Sequence, residues 1–248
     1  NIMIYGDKDP TKEMPDWRAD DIPLFEGTWL LRNRGAGMLI GALYFLHEGG
    51  IPEEKKENFV IECNKAQLAM GDSILLLKGL YHHLYNERLK RIKTLDVSDI
   101  PAGKKIMANY QEALEQKLRP DFKKFYQRDL VKWWFEITEL LDIFYRYFEQ
   151  HRLGLKFEDW QEYSDLLKPE DRIELKTLVG KVIRNRANIF SPSNLQNLFK
   201  KSRRSFSISI VSLLLFSLGK KNVSEQYMEK AASLLGVSVT GATKTNWL

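Results

Sequence analysis

Residues 59–92 constrain the fold of this chain more than any other stretch. They follow a long helical pattern that is apolar on almost every side, and a helix of that kind is normally buried in a protein core. Asn64, Lys65, Asp72 and Lys78 nevertheless lie within it. Because burying an unpaired charge costs free energy, each of these side chains must reach water, a partner or a ligand. We therefore expect a core helix that also lines a functional site.

Small and polar residues recur along this stretch at intervals of seven. One series is Asn64, Gly71, Lys78 and Tyr85, and the other is Lys65, Asp72 and Gly79. Seven residues make nearly two helical turns, so each series forms a line along one face. Lysine suits phosphate as a flexible point charge, which predicts a cleft for a phosphorylated ligand. A set of interhelical salt bridges, with glycines that permit close packing, explains the same pattern equally well.

The rest of the chain also favours helices. We expect an all-α bundle of about eight helices with a short N-terminal β-like segment at Asn1–Gly6. The glycines at 35, 37 and 41 suggest close helix packing in the first helix, and Gly154 is a helix-ending signal. The expected helices are residues 21–47, 52–92, 102–118, 121–152, 157–167, 169–186, 191–219 and 222–235.

The expected organisation has three parts. Residues 1–20 form a strand remnant and linker, residues 21–100 a core helical bundle, and residues 101–248 a C-terminal helical region packed on it as one continuous domain. A lone strand has no sheet to join. We therefore expect that the chain, which begins at Asn1, is a fragment whose preceding domain is missing.

Composition restricts the function only broadly. The formal charge of +5 is compatible with an anionic ligand without requiring one. With Cys63 as the one cysteine, no intrachain disulfide is possible, which favours a cytoplasmic setting. The most apolar run, residues 208–218, contains three serines and is too short to span a bilayer, so no membrane partner is expected.

The sequence displays no complete catalytic centre. His82 and His83 are adjacent and lack the spacing that places two ligands on one helix face, so we expect neither catalytic nor metal-binding residues. The charged residues Glu87, Arg88, Lys90 and Arg91 read as a solvated helix end. The broad aromatic face of residues 129–150 is most simply helix-packing core.

A basic cluster near the C-terminus offers a second binding surface. It consists of Lys200, Lys201, Arg203 and Arg204. Such a cluster attracts phosphate or an RNA backbone, although a solvated helix face is the simpler interpretation.

Two segments resemble the helical half of nucleotidyltransferase-like proteins of the polymerase-beta superfamily. One is Leu30–Leu43, whose first five residues complete an E-x-x-x-L-L-x-N-R pattern that starts at Glu26. The other is Asn64–Ile92, with Lys65, Gly71-Asp72 and Gly79-Leu80-Tyr81 at the family's spacing. The resemblance covers about residues 1–92.

The resemblance implies that the metal-binding carboxylates lie in a missing upstream domain, for which residues 1–7 would supply the last strand. Mg²⁺ and a nucleoside triphosphate would bind only where that domain, or a partner chain that supplies it, is present. This chain would be the catalytically incomplete substrate and nucleotide side of the site. The side chains expected to face the cleft are Asn33, Arg34, Lys65, Asp72, Lys78 and Tyr81, to which the seven-residue series adds Tyr85.

Two other hypotheses remain open. The chain could be a helical RNA- or protein-binding module without enzymatic activity, or a structural scaffold whose polar core residues satisfy one another.

Overall fold

The computed structural model describes residues 18–47, 50–166, 211–216 and 226–227. Of these described residues 77% are helical and none is in a strand, which confirms the all-α prediction. The helices are α1 (Leu24–His47), α2 (Lys56–Leu77), α3 (Tyr85–Ile92), α4 (Gly103–Leu118), α5 (Lys123–Tyr126), α6 (Leu130–Leu153) and α7 (Trp160–Leu166). Single 3-10 turns at Ala19–Asp21 and Glu53–Lys55 precede α1 and α2.

Several predicted features fall outside the described residues. They are the β-like segment at Asn1–Gly6, the helix expected at 169–186 and the basic cluster at 200–204. Of the two last expected helices, the structure describes only 211–216 and 226–227, and both pieces are helical. No helix in the described part of the chain has the length and apolar character needed to cross a membrane.

The long central helix is shorter than the sequence pattern predicts. α2 ends at Leu77 instead of continuing to Ile92. Gly79 takes a left-handed conformation with φ of +65°, and its amide donates to the carbonyl of Leu76 while that of Leu80 donates to Leu75. This bonding is a Schellman motif, which satisfies the last carbonyls and ends the helix. The seven-residue series beyond residue 77 therefore does not form a line on one helix.

The single helix expected from residue 121 to 152 is also divided. Gln127 and Arg128 form a turn after α5, and the side chain of Asp129 accepts a hydrogen bond from the amide of Lys132 at 2.9 Å. An aspartate in this position caps a new helix, so α6 begins at Leu130. At its other end α6 stops at Gly154, whose φ is +65°, as predicted.

The helices pack closely where small residues permit it. A Cβ on Gly71 would lie 2.2 Å from ring atoms of Tyr110, so the glycine allows α4 to approach α2. Gly41 of α1 faces the ring of Phe59 of α2. Helix α6 buries its aromatic face against α1 and α2. The indole of Trp134 donates to the carbonyl of Met38 at 3.0 Å. The aromatic residues of α6 are thus core, as the sequence indicates.

A buried polar network joins α1, α6 and α7 beneath this core. Glu149 is fully buried, and its carboxylate accepts hydrogen bonds from Thr28, Arg152 and Tyr163. A buried carboxylate with this many donors is satisfied internally. We therefore regard this network as structural.

Candidate functional site

Asp72 is the centre of a polar cluster between α2, α3 and α4. Nη1 of Arg88 lies 3.0 Å from its Oδ1 and 2.9 Å from its Oδ2, and the hydroxyl of Tyr110 donates to Oδ1 at 2.5 Å. The Asp72 side chain is 12% exposed and that of Arg88 only 6%. The charge that the sequence places in a core helix is therefore paired, by an arginine on the next helix.

Arg88 also organises the connection between α2 and α3. Its Nε donates to the carbonyl of His82 at 2.5 Å, and its Nη2 donates to the Tyr81 hydroxyl at 2.7 Å. Its guanidinium stacks on the rings of Tyr81 and Tyr85, 4.4 and 4.7 Å from their centroids. These contacts make Arg88 a rigid support for Asp72.

Burial sets the protonation behaviour of this cluster. It raises the pKa of Asp72, although the charge of Arg88 and the hydrogen bond from Tyr110 limit the rise. The pKa of Tyr110 is also raised, by burial and by the negative charge of Asp72. Tyr110 therefore remains a hydrogen-bond donor at neutral pH.

One cleft beside Asp72, here called the basic cleft, has a volume of about 330 Å³. One face of α2 forms its floor, at helical spacings of three and four. That face consists of Ile61, Asn64, Lys65, Leu68, Ala69 and Asp72. Helix α1 adds Leu30 and Arg34 at the edge. The structure thus places Arg34, Lys65 and Asp72 around one cavity.

The opposite wall of the basic cleft comes from this same chain. It consists of Tyr85 of α3, Ala113, Gln116 and Lys117 of α4, and the following residues Pro120 and Phe122. Gln116 is 5% exposed, and its Nε2 has no hydrogen-bond partner among the described residues. The cleft is therefore bounded on two sides without any contribution from another domain.

The charge of the basic cleft is positive. Arg34, Lys65 and Lys117 line it, and the carboxylate of Asp72 is neutralised by Arg88. Lys65 is paired with Glu62 at 2.7 Å, yet its side chain is still 41% exposed. Since an exposed pair contributes little free energy, Lys65 is able to exchange Glu62 for an anionic ligand.

A second cavity, here called the acidic cleft, lies on the other side of Asp72. Its volume is about 360 Å³, and it shares only Leu30 and Asp72 with the basic cleft. Its lining is Ile22, Glu26, Gly27, Trp29, Leu30, Asn33, Asp72, Ser73, Leu76 and Tyr81. Among these described residues none is basic, so the two cavities differ in charge.

The seven predicted site residues do not all meet at one place. Arg34, Lys65, Asp72 and Tyr85 line the basic cleft, while Asn33 and Tyr81 line the acidic one with Asp72. Lys78 lines neither cavity and pairs with Asp99 at 2.9 Å. It lies at the end of α2, beyond the face that forms the floor.

Arg32 is the remaining basic residue of the Arg32-Asn33-Arg34 segment. It is buried, and its guanidinium stacks 4.7 Å from the centroid of Trp29. Residues two apart on a helix do not face each other, so only Arg34 of these two arginines lines the basic cleft.

The reading of Arg88 as part of a solvated helix end was wrong. Only 5% of the residue is exposed. Tyr85, Arg88, Leu89 and Ile92 share one stripe at spacings of three and four, and this stripe faces the core. That spacing was the available signal for a buried arginine. Tyr110 likewise shares a buried stripe of α4 with Ile106, Ala113 and Leu114, but the spacing gives no sign of its contact with Asp72.

The described residues offer no metal centre. Among them no group of three or more His, Cys, Asp or Glu side chains is placed to hold a metal ion. His82 and His83 stack on each other, and Nδ1 of His82 accepts a hydrogen bond from the amide of Leu84 at 3.1 Å. Asp72 is already engaged by Arg88 and Tyr110. These residues do not fit a catalytic Mg²⁺ site.

No protein-family model, curated protein or solved structure matches this chain.

Proposed function

We propose that this chain is the helical, substrate-side part of a nucleotidyltransferase-like protein and that its basic cleft binds the nucleotide. The observation that carries the proposal is the lining of that cleft. Three cationic side chains, Arg34, Lys65 and Lys117, line it together with aliphatic side chains of α2 and the rings of Tyr85 and Phe122. An anionic ligand with a flat aromatic part matches this combination.

The size of the cavity limits how much of a nucleotide it encloses. A volume of about 330 Å³ lies at the lower end of the usual range for small-molecule sites, roughly 300–1,000 Å³. We infer that the cleft holds part of the nucleotide and leaves the rest to an upstream catalytic domain. Mg²⁺ and the residues that bind it would belong to that domain, because the described residues do not fit the metal.

Binding of ATP to this chain tests the proposal, by calorimetry with and without Mg²⁺. Lys65→Ala and Lys117→Ala are each expected to weaken binding about tenfold, since each removes a charged contact to phosphate. Lys78→Ala is the matched control, because Lys78 lies outside both clefts. Equal weakening in all three variants would indicate non-specific attraction and contradict the proposal. So would the absence of ATP binding by the folded chain.

The alternative, an RNA-binding module, rests on Lys200, Lys201, Arg203 and Arg204, which lie outside the described residues. RNA binding that weakens steeply with salt and is lost when these four residues are neutralised would favour it. In that case ATP binding should be insensitive to Lys65→Ala.

A further inference from the structure

The acidic cleft differs from the basic cleft in a way that the proposed nucleotide site does not explain. Glu26 and Asp72 contribute carboxylates to its lining, of which Arg88 neutralises only that of Asp72, and none of its described lining residues is basic. A phosphate group would therefore be repelled there. A cationic ligand, or one rich in hydrogen-bond donors, would be accepted.

Ser73 is a second, independent sign of a ligand. It lines the acidic cleft and is 1% exposed, and its Oγ has no hydrogen-bond partner among the described residues. Buried polar atoms are normally paired in folded proteins. A polar ligand group that enters the cleft is able to supply the missing partner.

Glu26 is the group best placed to recognise a positive charge. It is exposed, and it makes no ion pair or side-chain hydrogen bond within the described part of the chain. Asp72 is less available, because Arg88 neutralises it. The rings of Trp29 and Tyr81 already carry the guanidinium groups of Arg32 and Arg88 on one face. A ligand cation is therefore expected to pair with Glu26 rather than with a ring.

The remaining lining is apolar. Ile22, Leu30 and Leu76 provide aliphatic surface, and a volume of about 360 Å³ suits a compact molecule. We propose that the acidic cleft binds a small organic amine, with its ammonium group on Glu26 and its apolar body against these side chains. The inference rests on the proposed function in one respect only, that the amine belongs to the acceptor of the nucleotidyl group. Asp72 would then stand between acceptor and nucleotide.

A matched series of probes tests this site on the full chain. The probes are 2-phenylethylamine, 2-phenylethanol and 3-phenylpropanoate, which are similar in shape and differ in charge. Binding is followed by amide chemical shifts in NMR spectra. The amine is expected to bind about tenfold more tightly than the alcohol, because its ammonium makes a charged hydrogen bond. The carboxylate should bind most weakly, and the shifts should lie in residues that line the acidic cleft.

Two variants locate the interaction. Glu26→Gln is expected to remove the preference for the amine over the alcohol, whereas Glu57→Gln, at an exposed carboxylate outside both clefts, should leave it unchanged. Both positions are exposed, so neither variant should unfold the protein. The inference is overturned if amine and alcohol bind equally, if Glu26→Gln has no effect, if Glu57→Gln removes the preference as well, or if the shifts lie in the basic cleft.

The same titration repeated with ATP separates the two proposals. Amine binding without ATP binding would refute the nucleotide site and leave the acidic cleft standing. ATP binding without amine binding would refute the amine site and leave the nucleotide site standing. Simultaneous binding of both is expected, since the cavities share only Leu30 and Asp72.

Discussion

Nη1 of Arg88 lies within 3.0 Å of both carboxylate oxygens of Asp72, and this pair joins α2 to α3 across the turn at Gly79. Tyr110 extends the link to α4 through its hydrogen bond to the same carboxylate. Three helices that line the basic cleft are thus held at a single carboxylate. The geometry of the site should therefore depend on this pair more than on any residue expected to contact a ligand.

Removing only one member of this pair should strongly lower the free energy of unfolding. Arg88→Met leaves Asp72 charged in a nearly buried position, and removing one partner of such a pair typically costs about 3–5 kcal/mol. We expect a loss of this size in the free energy of unfolding, measured with urea. Lys90→Met is the matched control. Lys90 forms an exposed pair with Glu87, so its loss should cost about 0–1 kcal/mol.

The double variant Asp72→Leu/Arg88→Met gives the coupling energy. Because both charges are removed together, it should be more stable than the sum of the single variants predicts. Additive losses would contradict a direct interaction between the two residues.

Asp72 and Asp99 should titrate on opposite sides of the ordinary aspartate pKa. Burial raises the pKa of Asp72, whereas the hydrogen bond from Lys78 lowers that of Asp99. NMR titration of the side-chain carboxyl carbons measures both values. A pKa of Asp72 below that of Asp99 would contradict the described environments.

The two pKa shifts make the stability of the protein depend on pH in opposite directions. The raised pKa of Asp72 means that its stabilising contribution is present below the unfolded pKa and is lost as pH rises through the folded pKa. For Asp99 the contribution is present above the unfolded pKa and is lost as pH falls through the folded pKa. Asp99→Asn should therefore reduce the acid-induced loss of stability, and Asp72→Asn should not.

Gly71 should not tolerate a side chain. A Cβ there would meet ring atoms of Tyr110 at 2.2 Å, and this ring is tethered to Asp72 by its hydroxyl. Gly71→Ala is expected to lower the free energy of unfolding by about 1–3 kcal/mol, as overpacking usually does. Gly50→Ala is the control, because nothing lies within 4 Å of the added atom. A neutral effect at Gly71 would mean that α2 and α4 are further apart than described.

Two substitutions in the Glu149 network should destabilise the protein by different amounts. Glu149→Gln leaves the largely buried Arg152 without its charge partner, which should cost about 3–5 kcal/mol in the free energy of unfolding. Tyr163→Phe removes one hydrogen bond and preserves the ring, so about 1 kcal/mol is expected. Equal effects in a urea titration would show that Arg152 does not depend on Glu149.

Periodicity in the sequence was sufficient to predict the class of the fold. The last helical residue of α4 and the glycine that ends α6 follow from local rules of helix formation, and the start of α4 was predicted to within one residue. The face of α2 that carries Lys65 and Asp72 also follows, because residues seven apart on one helix necessarily share a side. The division at Gly79 was less visible, since the flanking residues continue the helical pattern.

Only the tertiary structure decided what this face meets. Arg88 lies 16 residues from Asp72 and Tyr110 lies 38 residues away, and no local rule relates positions so far apart. The same holds for Lys117 and Phe122, which close the basic cleft that the sequence left with one wall. Sequence pattern determined which side of α2 is polar within a core. Packing of α3 and α4 against that side determined that Asp72 is paired, and that a basic and an acidic cavity lie on either side of it.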